Sequence, residues 1–285
     1  MTLVPNNQTR IATCFAKLRH AGELGLIAYI TAGDPTLAAT YEFVEALVAG
    51  GADLIELGVP FSDPLADGPV IQRASERALK AGTNLAGVLE LVRRIRSSKS
   101  AAAEIPLVLF TYFNPVLQMG LGKFAETAAN AGADGVLITD LTPEESEEYR
   151  QILRAKNLDT IFLAAPTSTD ERLKIISECS SGFVYLISRT GVTGAKDALP
   201  DDLPALLRRA RNFTELPIAV GFGISLPGHV SVLGGLADAA VVGSALVAEI
   251  EKGRTVQAAG NALKERVAAL KEAGRHGLSR REANS

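Results

Sequence analysis

The chain has 285 residues, a net charge of −3, and 47% hydrophobic but only 5% aromatic residues. It carries no basic stripe and no aromatic–basic interleaving, which argues against a nucleic-acid partner, and no apolar run approaches the ~18 residues of a membrane span. The amino terminus, MTLVPNNQTR, lacks the basic-then-apolar pattern of a secretory signal, so a cytoplasmic protein away from the membrane is expected.

The first element is an amphipathic helix over residues 8–20, placed to cap one end of the fold. β-rich runs then follow at 26–31, 54–59, 107–112, 135–139, 160–164, 183–188, 218–220 and 239–242. Helical patterns lie between them, at 37–49, 85–95, 123–131, 144–155, 170–178 and 203–210. The aliphatic composition suits strands buried on both faces. Strand–helix alternation predicts parallel βαβ units. Eight units in one uninterrupted series predict a single (β/α)₈ TIM barrel over 1–285, rather than an open Rossmann-type sheet. A long final helix is expected over 255–273. The core then spans about 9–273, and 274–285 is a polar tail expected to fray. Cys14 and Cys179 fall in helix-like segments and read as small buried hydrophobes. Gly51-Ala52-Asp53, Gly132-Ala133-Asp134 and Leu236-Ala237-Asp238 each precede a strand. They read as αβ turns at the bottom of the barrel, concerned with folding.

Glycine turns follow the last three strands. They are Gly191-Val192-Thr193-Gly194, Gly221-Phe222-Gly223 and Gly243-Ser244. Loops after the seventh and eighth strands of such barrels often hold phosphate at a helix start. Glycine admits the anion to backbone N–H groups. No Lys or Arg adjoins the last two turns, so backbone dipoles and the Ser244 hydroxyl would carry that site.

In Leu54-Ile55-Glu56-Leu57-Gly58, side chains alternate across the sheet. If Ile55 and Leu57 face helices, Glu56 faces the barrel interior. A buried unpaired carboxylate is costly, and no strand core supplies a Lys or Arg to pair with it, so Glu56 reads as functional. The next loop holds Asp63 and Asp67 among three prolines. Asp67 reads equally as a functional carboxylate or a helix N-cap, and Asp63 as functional or as an Asp-Pro turn. The three histidines share no metal-ligand spacing and no lysine lies within a strand. Metal-dependent and Schiff-base aldol chemistry are therefore disfavoured, which leaves carboxylate acid–base chemistry on a phosphorylated substrate.

At these residues the sequence resembles the tryptophan synthase alpha-subunit family. The resemblance rests on ELGVPFSDPLADGP (56–69), YLISRTGVTG (185–194), AYITAGDP (28–35), GFGIS (221–225) and VVGSA (241–245), in the expected order. It implies retro-aldol cleavage of indole-3-glycerol phosphate to indole and glyceraldehyde 3-phosphate. Glu56 would move the protons, and Asp67 would stabilise the charge at the indole nitrogen. Tyr185 would order the substrate, and Thr193 would meet Asp67 when the loop after the sixth strand closes over substrate. Gly194, Gly223, Gly243 and Ser244 would hold the phosphate. Tyr29, Phe110 and Tyr112 would line the indole pocket, or else simply fill the barrel core; Phe and Leu are the residues expected at 29 and 110 in well-known members. The resemblance also implies a pyridoxal-phosphate beta subunit in an alpha2beta2 assembly, docked against Pro60, Asp63 and Pro64, with no cofactor in this chain. Competing readings are a stand-alone lyase releasing free indole, a catalytically weak barrel that activates a partner, and an unrelated phosphosugar isomerase.

Overall fold

A computed structural model describes residues 9–188, 199–221 and 223–282, with side chains through Arg275. Its strands are β1 (Gly25–Thr31), β2 (Leu54–Gly58), β3 (Leu107–Thr111), β4 (Gly135–Ile138), β5 (Asp159–Ile161), β6 (Leu163–Ala164), β7 (Val184–Ile187), β8 (Ile218–Gly221) and β9 (Ala239–Val242). Their order is β5-β4-β3-β2-β1-β9-β8-β7-β6, and every ladder is parallel. The nine segments make eight barrel strands. β5 and β6 are the two parts of the fifth, broken at Phe162: one pairs with β4 and the other with β7. The Tyr185 N–H donates to the Phe162 carbonyl at 3.2 Å and helps to close the ring across the break.

Alternation along the strands separates two apolar layers. Ile27, Leu54, Val108, Leu137, Phe183 and Val241 pack inside the barrel. Leu26, Ile55, Leu57, Leu107, Leu109 and Val136 pack outward with the helices. The helix Arg10–Ala21 caps the barrel's amino end. Thr9 caps its first turn, Gly22 ends it in the left-handed conformation, and Ile11, Phe15 and Leu18 are buried. Those three join the interior cluster, with Phe15 5.8 Å from Phe183.

The repeated turns make a common contact at this end. The Asp53 carboxylate accepts the Leu26 N–H at 2.7 Å, Asp134 that of Leu107 at 2.7 Å, and Asp238 that of Ile218 at 2.8 Å. Each aspartate thus fastens the first amides of a neighbouring strand. Each is also ion-paired: Asp53 with Lys271, Asp134 with Arg96 and Arg10, and Asp238 with Arg211.

Several elements differ from the sequence reading. Helix Pro69–Lys80 was offered only through the N-cap alternative for Asp67, and helices Phe113–Met119 and Pro227–Leu233 were not foreseen; Asn-Pro and Leu-Pro-Gly segments disguise these two as turns. The helix expected over 144–155 starts as a 3₁₀ turn, Pro143–Glu145, before Glu147–Ala155. The final helix is Val256–Glu282 and does not fray at 274. Its buried residues Ala259, Leu263, Val267 and Leu270 anchor one face. Gly274 and Gly277 cost only about 1 kcal/mol each relative to alanine, and the helix runs on through both. Among the described residues, no helix is long and apolar enough to cross a membrane.

Candidate active site

The carboxyl ends of the strands open into a pocket. Tyr29, Phe110, Tyr185 and Val241 line it from the barrel interior, Ile71 and Asp67 from the segment after β2, and Gly223, Ile224, Gly243 and Ser244 from the turns after β8 and β9. Sequence reasoning missed Ile71, Ile224 and Val241. Ile71 was legible in principle, because it falls in the first turn of the amphipathic helix that Pro69 opens.

Two glycines make room for the tyrosines. A Cβ at Gly58 would lie 2.2 Å from the Tyr29 hydroxyl, and one at Gly221 2.2 Å from the Tyr185 hydroxyl. The strand ends are bare of side chain where the phenols lie. Tyr29 also packs edge-on to Phe110, with ring centroids 5.2 Å apart.

Glu56 lies deeper on β2, paired in register with Tyr29 of β1 and Val108 of β3. It is fully buried, and among the described residues neither carboxylate oxygen has a hydrogen-bond partner. Burial alone pushes its pKa up to about 8, because the charged form loses its hydration with nothing in exchange. Its charge is felt by both Tyr185 and Tyr29, whose phenols burial holds well above their ordinary value.

Asp67 is also buried but differently served. Tyr112 donates a hydrogen bond to its Oδ2 at 3.1 Å. Burial raises its pKa to about 6, and the Tyr112 bond opposes that rise. Asp67 is not a helix N-cap. That position belongs to Gly68, which makes no side-chain cap bond. Tyr112 follows the end of β3 and caps the helix Phe113–Met119; its hydroxyl reaches Asp67 and the Ala66 N–H, behind the lining of the pocket. Burial without a partner thus gives Glu56 the higher proton affinity of the two carboxyls, and the Tyr112 bond favours the ionised form of Asp67.

The turns after β8 and β9 meet across the pocket mouth. Gly223 is left-handed, with φ 95°. Gly243 is the N-cap of the helix Ser244–Lys252, so the first N–H groups of that helix open toward the pocket. Among the described residues, no Lys or Arg lines it. An anion seated here would rest on backbone donors and the helix dipole. Thr193 and Gly194 lie outside the described residues, as does most of the loop over 189–199. Among the described residues, no cluster of His, Cys, Asp or Glu has the makings of a metal site. Pro60 is buried within the chain, Pro64 is half-buried, and Asp63 is exposed with the Ser62 hydroxyl donating to it at 2.6 Å.

The model of the family "Tryptophan synthase alpha chain" matches residues 15–275, a span that contains every strand of the barrel. The chain belongs to the tryptophan synthase alpha-chain family. The alpha chain of Solibacter usitatus is 57% identical over 244 residues, covering 86% of this chain and 90% of that one. The alpha chain of Geotalea uraniireducens is 48% identical over 267 residues, covering 92% and 97%. Among solved structures, tryptophan synthase of Mycobacterium tuberculosis superposes with a TM-score of 0.84 at 36% identity, covering 94% of this chain and 98% of the other. Tryptophan synthase subunit alpha of Legionella pneumophila gives 0.83 at 36% identity, covering 94% and 99%. The alpha-chain barrel is thus shared along nearly its whole length.

Proposed function

We propose that this chain catalyses the alpha reaction of tryptophan biosynthesis, the cleavage of indole-3-glycerol phosphate to indole and glyceraldehyde 3-phosphate. It is a carbon–carbon lyase. The observation that carries the mechanism is the pair of buried carboxyls with separated proton affinities, Asp67 in the pocket lining and Glu56 beneath it on β2 beside Tyr29, a division that suits one group to proton transfer and the other to charge stabilisation.

Glu56, the carboxyl with the higher proton affinity, supplies the proton to indole C3. The ring nitrogen then becomes positive, and the ionised Asp67 is suited to stabilise it. As a carboxylate, Glu56 next takes the proton of the glycerol hydroxyl beside the breaking bond. The C–C electron pair returns to the ring, indole leaves, and the hydroxyl carbon becomes the aldehyde. Proton balance is kept within the one residue, which ends protonated. The apolar and aromatic walls at Tyr29, Phe110, Ile71 and Val241 suit the indole, and the backbone donors at Gly223, Gly243 and Ser244 suit the phosphate.

A beta subunit that receives the indole and carries the pyridoxal phosphate is part of this reading, in an alpha2beta2 assembly. The family membership and the exposed loop at Asp63 support it. The test is indole release from indole-3-glycerol phosphate by the purified chain, alone and with an added beta subunit. Cleavage that rises when the beta subunit is added is expected. Cleavage unaffected by any beta subunit would favour a stand-alone lyase, and no cleavage under either condition would refute the proposal.

A further inference from the structure

Tyr112 holds a position that a wall of the pocket would not need. We propose that it is a positioning residue for Asp67, fixing both the backbone and the carboxylate of the loop that follows β2. The proposal rests on the reading that Asp67 stabilises charge in the reaction.

One phenol oxygen makes two bonds to adjacent residues. It accepts the Ala66 N–H at 3.0 Å and donates to Asp67 Oδ2 at 3.1 Å. Its ring packs against Phe61 of the same loop, with centroids 5.1 Å apart. Positions 61, 66 and 67 are thereby tied to a single buried side chain of the neighbouring barrel unit. Between them the loop projects outward: Ser62 and Asp63 are exposed, and Leu65 is 90% exposed. On the other side of Asp67, Gln72 donates to its carbonyl at 2.8 Å, which holds the backbone but not the carboxylate.

The direction of the bonds matters. With an amide filling one lone pair of the phenol oxygen, its proton is aimed at Asp67, and the bond favours the ionised carboxylate. Among the described residues, the other titratable groups around Asp67 are Tyr29, from β1, and Glu56, which lies across Tyr29 on β2. Neither makes a hydrogen bond to Asp67, so among the described residues the orientation of the carboxylate falls to Tyr112.

Tyr112→Phe keeps the ring and its packing on Phe61 but removes both bonds. A hydrogen bond to a charged group contributes enough that kcat should fall about ten- to a hundredfold, with KM within about twofold because the substrate keeps its own contacts. The acid limb of the kcat–pH profile should move up by about one pH unit as Asp67 loses a partner for its charged form. Carbon-13 NMR of the aspartate carboxyls, with Asp67 assigned by its absence in Asp67→Asn, reads the same rise without turnover. A packing role would lower the melting temperature and leave that titration in place. Unchanged kcat with an unchanged Asp67 titration would overturn the proposal, and so would a raised KM with unchanged kcat, the result for a pocket wall. If Asp67→Asn itself cleaves at the wild-type rate, the role of Asp67 in catalysis falls, and the carboxyl titration in Tyr112→Phe still decides whether Tyr112 holds it.

Discussion

Replacing Glu56 with Gln should abolish the reaction and stabilise the fold together. In the unfolded chain Glu56 titrates near its ordinary 4.5, and in the folded barrel near 8. Between those values the native state holds a proton that the unfolded state has released. Stability therefore falls as pH rises through this window. At about 1.4 kcal/mol per pH unit, the loss from full protonation to full ionisation is about 5 kcal/mol, of which roughly 3 kcal/mol has accrued by pH 7. Glutamine has nearly the same shape and no charge to bury. Glu56→Gln should then be more stable than wild type by about 3 kcal/mol at pH 7 and by still more at pH 9, but scarcely different at pH 4.5. Denaturant unfolding at these three pH values checks the trend. Cleavage of indole-3-glycerol phosphate should fall at least 10²–10⁴-fold, the usual contribution of a general acid–base group. A stability difference that does not grow with pH would refute the electrostatic argument, and near wild-type cleavage by Glu56→Gln would refute the catalytic one.

Gly58→Ala would bring a methyl against the Tyr29 hydroxyl, and overpacking of this kind costs about 1–3 kcal/mol; a lower melting temperature and a raised KM for indole-3-glycerol phosphate are expected, and Gly221→Ala should repeat the pattern through Tyr185. Asp134→Ala would strip the carboxylate partner from Arg96, whose side chain is only 10% exposed and keeps only backbone carbonyls of Gly132, Ala103 and Ile105, and a broken buried pair costs about 3–5 kcal/mol; calorimetry should show that loss, with kcat of the surviving folded fraction unchanged. Asp63→Lys, on the exposed loop, should weaken beta-subunit binding measured by titration while leaving cleavage by the isolated chain within about twofold, a surface change of little consequence to the fold.

The barrel was legible because its signals are local and repeated. Continuous apolar runs such as LIAYIT and LVLF admit few structures other than buried parallel strands, and the αβ turns recur with the same Asp. Glu56 stood out for a similar reason: strand periodicity is two, so a carboxylate between Ile55 and Leu57 must face the other way. What could not be read depends on contacts between distant parts of the chain. Nothing near Tyr112 in sequence indicates that its hydroxyl meets a loop 45 residues earlier. Asp67 looked as much like a helix cap as a functional group, because Asp before Gly-Pro serves both. Gly58 read as a strand residue and Gly221 as part of a phosphate-holding turn, although each answers to a tyrosine one strand away. The break at Phe162 was hidden because both halves of that strand keep an unbroken β pattern.

The aspartate clasps beneath the barrel also bear on how the molecule moves. First amides of strands ordinarily exchange with solvent quickly, since nothing seals them against transient opening. Here the amides of Leu26, Leu107 and Ile218 are gripped by carboxylates that are themselves neutralised by Lys271, Arg96 and Arg211. The helix Arg10–Ala21 seals the same end from within. The floor is fastened and the pocket opens at the carboxyl rim, so the barrel should loosen at lower cost from the rim, and deuterium should reach the strands from that side first.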